Sequence, residues 1–204
     1  MASTPAVIVL AAGKGARFEG MQHKLEQSLG GSTVLGTTLR HVIASHLKVV
    51  VVTTSALAAA ARLHVAARDV VVLPEVGTSG LEALGMGYSI SAGVSARPDA
   101  AGWLVLPGDM PLVQPATLVA VARQLAHHAV VYAQHKGRRG HPVGFSAELY
   151  SELVALRGDE GARRLVSRYP ALAVEVDDPG VLIDVDTEAD LEAVRRLSAK
   201  FTAV

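Results

Sequence analysis

The sequence predicts an α/β fold in which a Rossmann-like, mostly parallel sheet carries helices on both faces. Two observations support it: short, fully apolar runs recur along the chain, and segments with helical periodicity separate them. Strands buried on both faces of a parallel sheet are typically apolar throughout. Of the 204 residues, 50% are hydrophobic and 19% charged, so the chain can bury a sizeable core. We expect a single domain over residues 1–204.

The first half of the chain predicts four strand–helix units. The apolar runs that predict its strands are Ala6–Leu10, Lys48–Thr53, Asp69–Leu73 and Trp103–Leu106. Helical periodicity or alanine content predicts helices over Val34–His46, Ala56–Ala67, Leu81–Ala92 and Pro115–Leu125. Ser55 is placed to cap the second helix, and Pro115 suits the first turn of the fourth.

The second half predicts four further strands and two main helices. The strands are Ala129–Gln134 and Val143–Phe145, which flank the polar segment His135–His141, followed by Leu172–Val176 and Val181–Val185. A short helical stretch is followed by a helix from Asp159, and Thr187–Lys200 predicts the last helix, with an apolar stripe on one face. No linker or shift in composition divides the chain.

Composition and charge exclude several classes of function. Nineteen basic residues balance nineteen acidic ones, so we expect neither nucleic acid nor membrane as a partner. The absence of cysteine excludes disulfides, cysteine-ligated metals and a thiol nucleophile. No apolar stretch is long enough to span a membrane, and Met1–Pro5 lacks the basic start of a signal peptide. We therefore expect a cytoplasmic protein.

A glycine loop, residues 12–20, follows the first predicted strand. Gly13 and Gly15 allow backbone N–H groups to approach an anion closely, and Arg17 and Lys24 add positive charge, a combination that suits a triphosphate. The loop is not a Walker A motif, and Phe18 is too large for the third glycine position of a dinucleotide fingerprint. A tight turn that binds no ligand is the alternative.

Two acidic segments are candidate metal ligands. Asp109 lies between Pro107 and Pro111 just after an apolar strand, where a rigid carboxylate and substrate phosphates would hold Mg²⁺. The alternative is an aspartate that accepts backbone hydrogen bonds in a turn. Asp186 is a second candidate ligand; alternatively, Asp186 or Thr187 caps the last helix, with Asp190 completing a capping box.

His141 lies in the polar segment before Val143 and precedes a proline, which favours extended backbone. It is either a hydrogen-bonded structural imidazole or a contact to the acceptor. No carboxylate or serine partner is evident in the sequence, so we do not assign it the role of general base.

Five motifs occur in a fixed order: LAAGKGARF with Lys24 after it, LPGDMP, RRGHPVGF, GDEGARRL and LIDVDTEADL. Together they resemble the nucleotidyltransferases with a glycosyltransferase-A-like fold. More narrowly, they resemble the molybdenum cofactor cytidylyltransferase group, which is related to the molybdenum cofactor guanylyltransferases. The resemblance implies transfer of CMP from CTP to the terminal phosphate of a molybdopterin-type acceptor, with Mg²⁺, or Mn²⁺ in its place. It also implies a molybdenum hydroxylase, or its maturation chaperone, as a protein partner.

The resemblance also assigns roles to residues. It makes Lys24, Arg17 and Asp109 catalytic, Asp109 and Asp186 metal ligands, and His141 an acceptor contact. Its nucleotide-binding residues are Leu10, Ala11, Ala12, Gly13, Lys14, Gly15, Arg17, Lys24 and Gly80. Ala12 favours cytidine, because the guanylyl-specific relatives tend to carry glycine there.

The chain departs from the family pattern at three places. His23 stands where the family usually has proline before the lysine, and Glu19 stands between Phe18 and Gly20, where family members usually have glycine directly after the phenylalanine. The segment Leu25–Gly31 also departs from the usual leucine-rich form. Two alternatives stay open: a related NTP transferase that uses GTP or a sugar or alcohol phosphate acceptor, and a non-catalytic cofactor-binding module. The presence of both Lys24 and Asp109 favours an enzyme over the module.

Overall fold

The structure, a computed structural model, describes residues 4–13, 18, 22–74, 85–158 and 161–202. Within these ranges the strands are β1 (Ala6–Ala11), β2 (Ser28–Leu29), β3 (Ser32–Thr33), β4 (Lys48–Thr54), β5 (Val70–Leu73), β6 (Gly102–Pro107), β7 (Val130–His135), β8 (Arg138–Ser146) and β9 (Ala171–Glu175). The helices are α1 (Val34–Ala44), α2 (Ser55–Arg62), α3 (Gly85–Ser95), α4 (Pro115–Gln124), α5 (Tyr150–Val154), α6 (Arg163–Arg168) and α7 (Glu188–Thr202).

The predicted α/β fold is confirmed. Seven strands form one main sheet in the order β5-β4-β1-β6-β8-β7-β9, and β8 alone runs antiparallel to its neighbours there. Strands β2 and β3 form a small separate hairpin. The strands that run parallel to β1 all end at one edge, which we call the carboxyl edge. In open α/β sheets, ligands bind beyond this edge.

Both faces of the main sheet are covered by helices, which explains why its central strands are apolar throughout. Val7 and Val9 face a core to which α1, α2, α4 and α7 contribute, whereas Ala6 and Ile8 face a second core that includes α3, α5 and α6. Helix α3 lies very close to the sheet at Gly93. A Cβ at that position would stand 2.3 Å from Cγ2 of Ile8, so close packing requires glycine there.

Three local predictions were wrong. Val181–Val185 is not a strand: Pro179–Leu182 forms a 3-10 turn, and the chain then crosses the end of the sheet. Most of the polar segment 135–141 belongs to strands, because β7 ends at residue 135 and β8 begins at 138. Ser55 does not cap α2; Thr54 occupies the N-cap position without a side-chain hydrogen bond.

The remaining boundaries differ by a few residues. α6 begins at residue 163, α3 is described from residue 85, and the predicted helix starts at Leu81 and Asp159 lie outside the described residues. None of the helices in the described part of the chain is both long enough and apolar enough to cross a membrane.

Candidate active site

The glycine loop and the loop that carries Asp109 lie side by side at the carboxyl edge. They follow β1 and β6, which pair directly, with Leu10 opposite Pro107. The backbone N–H of Gly108 extends this pairing by donating to the Leu10 carbonyl at 2.8 Å. The first residues of the glycine loop therefore adjoin the residues 108–114, which we call the Asp109 loop.

Two further hydrogen bonds hold the Asp109 loop from both sides. The hydroxyl of Thr38, a buried residue of α1, donates to the Gly108 carbonyl at 2.9 Å. The N–H of Val185 donates to the Asp109 carbonyl, also at 2.9 Å. This second bond shows what Val185 does in place of forming a strand: its N–H donates to the Asp109 loop and not to a sheet edge.

Asp178 fastens the segment 178–186 to the Asp109 loop. Its carboxylate accepts hydrogen bonds from the N–H of Gln114 at 2.9 Å, the hydroxyl of Thr117 at 2.7 Å and the N–H of Gly180 at 2.9 Å. Gly180 lies so close to the loop that a Cβ there would stand 2.3 Å from the Leu112 carbonyl oxygen. These contacts bring Asp186 to the carboxyl edge.

Lys24, Asp109 and Asp186 meet at this edge and form what we call the charge triad. The Lys24 ammonium donates to Oδ2 of Asp109 at 2.6 Å and to Oδ1 of Asp186 at 2.7 Å. The three side chains are 12%, 16% and 18% exposed, respectively, so these ion pairs are largely withdrawn from water but open on one side. Charge-assisted hydrogen bonds of this length are stronger than neutral ones.

The protonation equilibria of the triad indicate an excess of negative charge. Burial by itself lowers the pKa of Lys24, but hydrogen bonds from its ammonium to Asp109 and Asp186 outweigh it, and the net pKa lies above the ordinary 10.5. Burial raises the pKa of Asp109 above 3.8; the Lys24 hydrogen bond opposes this rise, and the charges of Asp184 and Asp186 add to it. The raised pKa of Lys24 is expected for one ammonium that donates to two carboxylates, and the raised pKa of Asp109 is expected for a carboxyl group withdrawn from water.

The donor set fits a hard divalent cation. Oδ1 of Asp109 is buried and has no hydrogen-bond partner among the described residues, although buried carboxylate oxygens normally have one. No cluster of three or more protein ligands occurs within the described ranges. Mg²⁺ usually takes only one or two carboxylates and completes its shell with water and substrate phosphates, so two carboxylates and an open oxygen suffice.

The described part of the glycine loop leaves room for a ligand. A Cβ added to Gly13 would meet no atom of the described residues within 4 Å, so packing inside the chain does not require glycine at this position. A glycine at position 13 would instead let an anion approach the backbone closely. The Gly13 carbonyl oxygen is hydrogen-bonded to the His23 ring and lies 3.0 Å from its Nε2.

His141 lies near the start of β8, at the same end of the sheet. Burial lowers the pKa of its imidazole; the nearby Arg139 adds to this effect and the charge of Asp184 opposes it. Asp184, which is exposed, thus lies within electrostatic reach of both His141 and Asp109. A half-buried imidazole with a lowered pKa is suited to hydrogen bonding in its neutral form.

The structure places most of the predicted site residues at one edge. Leu10, Ala11, Ala12 and Gly13 adjoin Asp109, and Lys24 joins Asp109 to Asp186. Lys14, Gly15, Arg17 and Gly80 lie outside the described residues. Thr187, and not Asp186, caps α7 together with Asp190. The Thr187 N–H donates to the Asp190 carboxylate, and the Asp190 N–H donates to the Thr187 hydroxyl.

Three residues of the site region were not predicted as contributors: Thr38, Asp178 and His23. Thr38 and Asp178 act through backbone groups that are distant in sequence, which no local pattern reports. The one signal in the sequence was His23, which stands where the resemblance leads to proline.

A family model, the MobA-like NTP transferase domain, matches residues 7–174 of the chain. The chain belongs to the MobA-like NTP transferase family. The match includes β1, the glycine loop, Lys24 and the Asp109 loop, and it ends before Asp186. Membership supports nucleotidyl transfer from an NTP, and enzymes of this family usually bind a divalent metal.

The chain is also similar to individual proteins. PucB, a purine catabolism protein of Bacillus subtilis, is 35% identical over 117 residues, which are 55% of this chain; the chain spans 57% of the length of PucB. The crystal structure of Rv0371c from Mycobacterium tuberculosis has a TM-score of 0.81 and 28% identity over 96% of this chain and 99% of that one. Rv0371c in complex with manganese gives a TM-score of 0.75 and 30% identity over 96% and 100% of the two chains.

Proposed function

We propose that this protein is a metal-dependent cytidylyltransferase that transfers CMP from CTP to the terminal phosphate of a molybdopterin-type acceptor. Membership of the family supports the transfer itself. The cytidine base and the acceptor rest on the resemblance of the five sequence motifs, including Ala12 in the glycine loop. A molybdenum hydroxylase, or its chaperone, would receive the product.

The reaction exchanges one phosphoanhydride bond for another. An oxygen of the acceptor phosphate forms a bond to the α-phosphorus of CTP, and the bond from that phosphorus to the β-phosphate oxygen breaks, releasing pyrophosphate. The nucleophile is already an anion near neutral pH, so no strong base is required. The obstacle is the approach of one anion to another, which the enzyme overcomes by positioning and by neutralising charge.

In this mechanism Asp109 and Asp186 would hold the divalent cation, and Oδ1 of Asp109 is available for it because it has no hydrogen-bond partner among the described residues. When bound, such a cation neutralises charge on the phosphate oxygens. The Lys24 ammonium, which donates to both carboxylates in the structure, would supply positive charge to the departing pyrophosphate. Gly13 lets the backbone approach the phosphates, and the neutral imidazole of His141 hydrogen-bonds the acceptor.

One observation carries the proposal: a lysine from the segment after the glycine loop and an aspartate just after β6 meet at 2.6 Å, beside a carboxylate oxygen that has no partner in the part of the chain that the structure describes. A tight turn that only connects a strand to a helix needs no such charges. A non-catalytic binding module would not need them either, because the triad destabilises its own carboxylate by burying it.

The test is pyrophosphate release by the purified full chain with Mg²⁺, a molybdopterin acceptor and each of the four NTPs in turn. We expect release with CTP that depends on both acceptor and metal, and CMP recovered in the product. Preference for GTP, or transfer only to a sugar or alcohol phosphate, would show that the protein is a related NTP transferase and not a molybdopterin cytidylyltransferase. No release with any pairing would favour the binding module.

A further inference from the structure

His23 connects the two segments that the proposed function requires to act together. Its ring Nε2 lies 3.0 Å from the Gly13 carbonyl oxygen, and its Nδ1 accepts the Leu25 N–H at 3.2 Å. One ring nitrogen therefore contacts the first glycine of the glycine loop. The other caps the 3-10 turn Lys24–Glu26, which carries the triad lysine.

The two bonds define the state of the ring. A backbone N–H can only donate, so Nδ1 must be the unprotonated acceptor. The proton of the neutral ring is then on Nε2, which donates to the Gly13 carbonyl. A neutral imidazole is one of the few side chains that can accept at one atom and donate at another about 2 Å away, and this arrangement uses both functions.

Each bond restrains a different part of the site. The hydrogen bond to His23 holds the Gly13 carbonyl in one direction near the start of the glycine loop. A carbonyl turned toward an incoming phosphate would repel it, so holding this carbonyl on His23 favours binding of an anion. The bond from Leu25 instead fixes the turn from which the Lys24 side chain reaches Asp109 and Asp186.

We infer that His23 is a positioning residue for nucleotide binding, which orients the glycine loop through Nε2 and the Lys24 turn through Nδ1. The inference rests on the proposed function and adds to it a side chain outside the charge triad. The backbone of His23 has φ −56° and ψ 137°, a conformation open to almost any residue, so local backbone geometry does not explain a histidine here.

The two bonds can be removed separately. In His23→Asn the side-chain oxygen takes the place of Nδ1 and can accept the Leu25 N–H, but no atom reaches Gly13. In His23→Ala both bonds are lost. The matched control is His127→Asn, which changes an exposed histidine in the connection between α4 and β7, at the opposite edge of the sheet.

The readouts are the Kd for CTP measured by calorimetry without acceptor, and kcat and KM for pyrophosphate release. We expect His23→Asn to weaken CTP binding about 3- to 10-fold, the range for one lost hydrogen bond, with kcat nearly unchanged. His23→Ala should also lose about 10-fold in kcat, because its Lys24 turn is released. A residue with a merely structural role would lower the melting temperature without this separation of KM from kcat.

The ring itself provides a second readout that needs no activity. Nitrogen NMR of the full chain at mildly alkaline pH should show His23 with its proton on Nε2; a proton on Nδ1 would overturn the inference. So would a His23→Asn variant that binds CTP as tightly as the wild type does. Wild-type protein that binds none of the four NTPs would instead overturn the proposed function, and the positioning role with it.

Discussion

Two aspartates on neighbouring segments, the buried Asp178 and the partly buried Asp109, have opposite hydrogen-bonding patterns. Asp178 is 5% exposed, and three donors from the chain bind its carboxylate: two backbone N–H groups and the Thr117 hydroxyl. Asp109 has Lys24 on one oxygen and no described partner on the other. Burial raises the pKa of Asp109.

The difference separates a carboxylate that maintains the fold from one that is available to a ligand. Hydrogen bonds to both carboxylate oxygens of Asp178 stabilise the contact between the 178–186 segment and the Asp109 loop. One oxygen of Asp109 has no partner among the described residues, which destabilises the folded state. Proteins keep such unfavourable groups mainly at sites that bind cations or substrates. Substitutions at these residues should therefore divide into effects on turnover and effects on stability.

The largest effect is expected from Asp109. Asp109→Ala should nearly abolish pyrophosphate release, and Asp109→Asn, which keeps the shape, should lower kcat by about 10²–10³-fold because it removes one electrostatic contribution to the transition state. Circular dichroism should show that both variants fold. The control is Asp177→Asn, an exposed carboxylate beside Asp178, which should behave as the wild type does. Normal CMP transfer by Asp109→Ala in the presence of Mg²⁺ would contradict the metal assignment.

The next effect concerns Lys24, whose ammonium and a divalent cation need the same two carboxylates. Lys24→Met keeps the length of the side chain but removes its charge. Turnover should fall about 100-fold, whereas Mn²⁺ binding without nucleotide, measured by electron paramagnetic resonance, should tighten about 10-fold or more, as expected for close charge pairs.

Opposite changes in turnover and in metal affinity are the distinctive result for Lys24→Met. Lys48→Met, at an exposed lysine that begins β4, should leave both unchanged. Weaker Mn²⁺ binding by Lys24→Met than by the wild type would show that the lysine and the metal do not share the carboxylates.

Asp178 should show the converse behaviour. Asp178→Ala leaves two backbone N–H groups and a hydroxyl without their acceptor, which should lower the free energy of unfolding by about 2–3 kcal/mol. For a chain of this size, that corresponds to a fall of roughly 4–12 °C in melting temperature. At a temperature where the variant is still folded, kcat should remain within about 10-fold of the wild type. A loss of turnover as large as that of Asp109→Asn, without loss of stability, would remove the distinction between the two aspartates.

The sequence allowed the fold to be predicted where burial alone decides structure. Runs such as Ala6–Leu10 and Lys48–Thr53 lie between two layers of helices, so both faces of each strand had to be apolar. The prediction failed at Val181–Val185. Val181 and Val185 are also buried, but Val181 lies in a 3-10 turn and the N–H of Val185 donates to the Asp109 loop instead of to a strand. Apolar composition reports burial, and it does not report which backbone partner a segment finds.

The site divides in the same way. Asp109 and the glycine loop were predictable together because both follow parallel strands, whose carboxyl ends share one edge. The contact of Lys24 with both aspartates was not predictable, since it joins residues 85 and 162 positions apart through a turn and a crossing segment. The role of Asp178 could not be predicted either, because two of its three donors are backbone N–H groups, which every residue except proline has.

The smallest effect is the response of the charge triad to pH. The net pKa of Lys24 is raised in the folded state, so the stability that its ion pairs contribute is fully present below its ordinary value of 10.5 and is lost only as pH rises through the higher folded value. The difference in melting temperature between the wild type and Lys24→Met should therefore stay constant from about pH 7 to about pH 9. Lys48→Met again serves as the control, with little difference from the wild type over the same range. A difference that disappears by about pH 8 would mean that burial outweighs the two hydrogen bonds, and that the ammonium does not bridge the carboxylates in solution.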